Sequence, residues 1–137
     1  ASLVAAGARV GYSVDARDIR KHFGTDAKWE RIVFNLPQSP PMPKARNQIQ
    51  RHRALLRDFC ASAASVLGDD GQLWITLLAG QGGTSRDPVQ RSLGNHWQLQ
   101  YEAAAAGLLV TDVIPQDLDA LFNAGWSRQT GRMRASM

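Results

Sequence analysis

Trp29-Glu30-Arg31-Ile32-Val33-Phe34-Asn35-Leu36-Pro37 is the stretch on which the fold turns. Arg31 to Phe34 has the β-branched and aromatic composition of a short buried strand, and Asn35-Leu36-Pro37 stops it. Pro37 has no N–H for a sheet ladder and pushes Leu36 away from helical angles. The chain therefore leaves the sheet here, with the Asn35 amide at the strand's carboxyl end. In open α/β sheets that end is where ligands bind, which makes Asn35 a candidate to hold a base or a cofactor. The plainer role for Asn35 is to satisfy local turn hydrogen bonds.

Working outward, Arg9–Val14 reads as a strand with Val10, Tyr12 and Val14 on one face, closed by Asp15-Ala16. Ser2–Ala6 reads as the tail of a helix stopped by Gly7, and Arg17–Phe23 as a short helix. The segment Gln38-Ser39-Pro40-Pro41-Met42-Pro43 is too rich in proline for regular structure. The strongest helix spans Ala45–Leu67, with Ile49, Leu56, Phe59, Cys60, Ala63, Val66 and Leu67 on one face and Gly68-Asp69-Asp70-Gly71 ending it. Leu73–Leu78, nearly continuous in apolar residues, is expected as a parallel strand covered on both faces. A glycine-rich loop, Gly80–Thr84, follows. A helix over Trp97–Ala106, a strand over Leu108–Ile114 ended by Pro115, and a short helix around Leu118, Leu121 and Phe122 complete the pattern. Strands alternating with helices predict one α/β domain over residues 1–137, with a mainly parallel sheet and helices on both faces.

Length and composition agree with an ordinary globular domain: 137 residues, 44% hydrophobic and 20% charged. No apolar run approaches the ~18 residues that span a bilayer, and no secretory signal pattern is present, so no membrane partner is expected. The single cysteine, Cys60, excludes an internal disulfide framework and fits a small core residue in a reducing compartment. A net charge of +4 is compatible with a polyanionic partner. The chain opens on Ala1 in what reads as a helix tail, so a further N-terminal portion is expected in the natural protein.

Several chemistries find no support in the sequence. GxxxxGK[ST], GxSxG and a metal-spaced His/Cys cluster are missing, and His22, His52 and His96 are scattered, so no metal is expected. Asp15, at a strand's carboxyl end, could accept hydrogen bonds from a nucleoside or cap the helix after it. Gly80–Thr84 reads as a flexible loop or as a backbone nest that approaches a ligand. Lys44, Arg46, Arg53 and Arg57 form a basic stripe near the start of the long helix, either a solvated face or an RNA contact.

Taken in order, Val14-Asp15-Ala16, RIVFNLP (31–37), HRALLRDFCASAASVL (52–67), GDDGQLWITL (68–77), GQGGT (80–84) and NHWQLQYEAAAAGLLVTDVIP (95–115) resemble the Rossmann-like domain of the 25S ribosomal RNA uridine-N3 methyltransferase family. GQGGT followed by NHWQ is most similar to the version that accompanies a ferredoxin-fold anticodon-binding domain. The resemblance runs from Ala8 to Arg128. It implies a class I methyltransferase fold that uses S-adenosylmethionine, with its N-terminal cofactor-binding strands lacking here and an unpaired sheet edge through which the chain would self-associate as a homo-oligomer. It also implies a ribosomal RNA partner and a cytoplasmic or nucleolar location. Asp15 and Ala16 would lie against the adenine, and Asn35, Leu36 and Pro37 would face the methyl donor and the target base. Two positions depart from the family's NFPH-like stretch: Leu36 removes a stacking ring and Gln38 removes a titratable group. A non-catalytic scaffold or RNA-binding module derived from the family is the competing expectation.

Overall fold

A computed structural model describes residues 2–40 and 47–126. Its centre is one helix and the two strands it connects. Strand β1 (Trp29–Asn35), helix α2 (Gln48–Val66) and strand β2 (Leu67–Thr76) form a β-α-β unit in which β1 and β2 pair in parallel. Helix α1 (Ile19–Phe23) precedes the unit, and α3 (Leu99–Ala105) and α4 (Leu118–Asn123) follow it.

Helix α2 forms where its apolar period predicts. Leu56, Phe59, Cys60, Ala63 and Val66 recur at helical spacing and are buried. Phe59, Ala63 and Val66 meet Ile19 of α1 and, from the sheet, Ile32, Phe34, Leu73 and Ile75. The Phe34 and Phe59 rings lie 4.2 Å apart at a tilt of 52°. Strand alternation decides which side chains arrive there. Ile32 and Phe34 point inward with Leu73 and Ile75, whereas Arg31, Val33 and Asn35 share the opposite face with Gln72, Trp74 and Thr76.

That opposite face corrects one expectation. Val33 and Trp74 remain 51% and 49% exposed, so among the described residues the sheet is packed on one side only. The Arg31 guanidinium lies 4.1 Å over the Trp74 ring and shields part of it from water. The sheet is also smaller than expected. Arg9–Val14 and Leu108–Ile114 are irregular and join no ladder. Ser13, at φ 54°, breaks the first segment, because a left-handed residue cannot continue an extended chain. In the second, Leu109 and Ile114 are more than 80% exposed, and an extended segment without a partner is not a strand.

Helix α2 ends at Val66, just before Gly68–Gly71 as expected, but those residues belong to the next strand. Helix α2 runs directly into β2, Leu67 already having extended angles, and residues 68–71 bulge between the pairs Trp29↔Leu67 and Arg31↔Gln72. Gly71 is required there, since a Cβ would come within 2.8 Å of both the Trp29 carbonyl oxygen and the Leu67 side chain. Helix α3 stops as expected at Gly107, whose φ of 78° lets the Leu108 N–H donate back to the Ala103 carbonyl. Ser2 to Gly7 forms a single helical turn closed by Gly7 in the same way.

Phe59→Ala should lower unfolding free energy by about 3–5 kcal/mol, because it removes the ring on which α2 and β1 meet; urea denaturation checks this. Burial pushes the Cys60 thiol up to about 11, with Glu102 adding to the shift. Cys60 should therefore stay unreactive to a thiol reagent at pH 8 until the chain unfolds.

Candidate functional site

The carboxyl ends of β1 and β2 close together. Asn35 and Thr76 are the last register pair, and the Thr76 hydroxyl donates to Asn35 Oδ1 at 2.9 Å. The Leu36 N–H donates to the Thr76 carbonyl, also at 2.9 Å, which carries the pairing one residue past the strand. Leu36 then turns with φ 50°, a strained angle for a branched side chain, and Pro37 is buried behind it. Asn35 is thus oriented from the neighbouring strand. Its Oδ1 is occupied, while its NH2 has no protein partner among the described residues and is exposed.

Past Pro37, the chain is held by the first turns of α2. The Ser39 N–H donates to His52 Nδ1 (3.2 Å), the Ser39 hydroxyl to the Arg51 carbonyl (3.0 Å), Gln48 Nε2 to the Ser39 carbonyl (3.3 Å) and Arg51 Nη2 to the Pro40 carbonyl (2.6 Å). Four hydrogen bonds fix the exit of the strand-end loop, although its own sequence is irregular.

The loop at the end of β2 is equally fixed, so it is not the flexible connection that its glycines permit. The Asp87 carboxylate accepts from the Gly80 and Thr84 N–H groups and from the Thr84 hydroxyl, at 3.1, 2.8 and 2.7 Å. An anion does sit in this nest, and it is the chain's own. On the other side, the Gln81 and Gly82 carbonyls accept from the Trp97 and Leu99 N–H groups. Gly83 has a φ of 72°, and a Cβ there would lie 2.1 Å from His96 Nδ1.

The basic stripe resolves into different roles. Arg53 is buried: its Nε donates to the His96 carbonyl at 3.1 Å, and its Nη2 donates to His96 and Leu93 carbonyls. Its guanidinium is engaged in holding the 93–97 segment, where the sequence offered either a solvated face or an RNA contact. Arg57 donates to both oxygens of Glu102, at 2.7 and 3.2 Å, from a side chain 55% exposed. Lys44 and Arg46 lie outside the described residues.

Asp15 and Ala16 stand apart from this assembly. Ala16 packs against the core. The Asp15 carboxylate receives the Arg17 N–H and two guanidinium hydrogen bonds, at 2.9–3.0 Å, and these hold its pKa at about 2. Asp15 therefore closes a local turn and does not cap α1, whose first flanking residue is Asp18. It is exposed and ionised, with acceptor capacity left for a ligand. No hydrogen bond joins Asp15 to Asn35. An open cleft of about 200 Å³ lies elsewhere, lined by Thr84, Ser85, Arg86, Gln100 and residues 110–113. Among the described residues, no three His, Cys, Asp or Glu side chains converge in a manner that would hold a metal, and no helix is long and apolar enough to cross a membrane.

Sequence reasoning missed Thr76, His52, Asp87, Trp97 and Glu102. Glu102, 2% exposed, accepts from Arg57 and from Gln98 Nε2 at 2.9 Å. An acidic residue amid the alanines of α3 was the one visible sign of it. Gly83→Ala should displace His96 and strain the backbone, at a cost of about 1–3 kcal/mol. Faster amide exchange at Trp97 and Leu99, with a smaller change in the β1–β2 core, is the expected reading.

The sequence profile of a family described as BMT5-like, rRNA (uridine-N3-)-methyltransferase, matches residues 1–120. The ferredoxin-fold anticodon-binding domain-containing protein 1 homolog of Mus musculus is 34% identical over 116 residues, 84% of this chain and 18% of the mouse protein. Its counterpart from Homo sapiens is 35% identical over 107 residues, 72% of this chain and 17% of the human protein. No solved structure matches. The chain spans less than a fifth of the length of these relatives, and it belongs to the BMT5-like family of rRNA methyltransferases.

Proposed function

We propose that this chain is the Rossmann-like part of an S-adenosylmethionine-dependent RNA methyltransferase acting on uridine N3 of ribosomal RNA. The observation that carries the reading is the Asn35 carboxamide, fixed through Oδ1 by Thr76, its NH2 without a partner among the described residues, at the carboxyl end of a parallel strand pair. A uracil edge offers two carbonyl acceptors, and an oriented amide N–H can hold one of them. Leu36 and Pro37 shape the wall beside it. Asp15 is ionised and exposed, which fits an acceptor for polar groups of the donor's nucleoside, and Ala16 beside it would form part of the adenine wall.

S-adenosylmethionine supplies an electrophilic methyl group on a sulfonium. The protein's contribution is positioning, since aligning the base nitrogen with that methyl converts a bimolecular encounter into an intramolecular one. Arg57 remains a candidate RNA contact, because its side chain is half exposed on the surface of α2. Lys44 and Arg46, just before that helix in sequence, are proposed alongside it.

One observation favours the competing scaffold role: the segment Asn35-Leu36-Pro37-Gln38 contains no group that titrates near neutrality to receive the imide proton. The two readings separate on Asn35→Ala in the full-length protein, assayed for methyl transfer to ribosomal RNA. Transfer should fall by about ten- to a hundredfold, as for one or two hydrogen bonds lost in the transition state, with Tm nearly unchanged. A lower Tm with unchanged turnover would assign Asn35 to the fold alone. Absence of transfer and of S-adenosylmethionine binding in the unmutated protein would favour the scaffold.

A further inference from the structure

Two loops flank the proposed site, and a single side chain touches the fixtures of both. His52, 8% exposed on the second turn of α2, accepts the Ser39 N–H at Nδ1. Its ring stacks on Trp97 with centroids 4.2 Å apart and planes 20° from parallel. Ser39 lies in the loop that follows Asn35, and Trp97 anchors the glycine loop through its N–H to the Gln81 carbonyl, at 2.7 Å. We propose that His52 is a positioning residue that couples the Asn35–Ser39 loop to the Gly80–Thr84 loop, so that both are ordered together while its imidazole is neutral.

The surroundings oppose protonation on geometric grounds. The Ser39 N–H occupies the one acceptor lone pair of the neutral ring, at Nδ1, so Nε2, 3.2 Å from Gln48 Nε2, carries the ring hydrogen. An imidazolium has no lone pair left for the Ser39 N–H. The charged and titratable groups on the elements packed against the ring are Arg51 and Arg53 of α2, His96 beside Trp97, and, a turn further along α2, Arg57 with Glu102 of α3. The strand-end loop contributes no charge from Asn35 to Pro40. Burial, then Arg51, depress the His52 pKa below its ordinary 6.5. A histidine depressed in the folded state stabilises it fully above the unfolded value. That contribution declines as pH falls from about 6.5 toward the folded value, because the unfolded chain then binds more protons.

The coupling of the loops stands apart from the proposed activity; only its effect on the methyl donor rests on that reading. Amide exchange at Ser39, Trp97 and Leu99 in the full-length protein, corrected for intrinsic pH dependence and measured from pH 7.5 to 5.5, reads the coupling directly. In the unmutated protein all three amides should lose protection together, by about five- to tenfold, the worth of one hydrogen bond. His52→Gln keeps an acceptor for Ser39 without a titrating ring, and should keep protection at Ser39 while abolishing the pH response at all three. His52→Phe keeps the stacked surface without an acceptor, and should loosen Ser39 at every pH. Loops that respond separately, or a pH response that survives in His52→Gln, would overturn the coupling. S-adenosylmethionine affinity should fall with pH in step with exchange. Exchange as expected with no donor binding at any pH would sink the methyltransferase reading and leave the coupling intact.

Discussion

The buried guanidinium of Arg53 is the constraint on which the site's architecture rests. A desolvated cation must find acceptors, and here they are the Leu93 and His96 carbonyls. Holding them fixes the 93–97 segment against α2, which sets Trp97 upon His52 and presents the Trp97 and Leu99 N–H groups to the glycine loop. Charge that looks available for a polyanion in the sequence is therefore spent inside the fold. The same helix face is polar at its start, with His52 and Arg53, and apolar from Leu56 onward, so one helix organises the loops at one end and the core at the other.

Much of the central unit was legible in the sequence. Phe34 and Ile32 read as strand, Leu56 through Val66 as a helix with one buried face, and Pro37 as the exit from the sheet, because each follows a local rule of period or proline geometry. Arg9–Val14 and Leu108–Ile114 were misread for a physical reason. Apolar composition gives a segment the capacity to be a strand, but a ladder needs a second edge at hydrogen-bonding distance, which composition does not encode. The helix does end at Val66, just before Gly68–Gly71, but the bulge those residues form in β2 was not foreseen, because glycine and aspartate serve both roles.

The site was legible in part. The position of Asn35 followed from Pro37. Its orienting partner Thr76 lies 41 residues away, and such a pairing depends on register. The pairs of Arg53 with His96 and of half-exposed Arg57 with buried Glu102, separated by 43 and 45 residues, are likewise products of tertiary packing. A basic residue on a helix looks the same in sequence whether it faces water or a neighbouring carbonyl.

The uninterrupted passage from α2 into β2 has a consequence for how the chain tolerates changes in length. With no linker between Val66 and Leu67, one inserted residue in the last turn of α2 would rotate the strand by about 100° about the helix axis and exchange its two faces. Leu73 and Ile75 would leave the core, and Trp74 would enter it. The bulge at 68–71 is the one stretch between Gln48 and Thr76 where the ladder already carries surplus residues. Between Gln48 and Thr76, insertions and deletions should accumulate there, where they can be absorbed without changing which side chains meet Phe59.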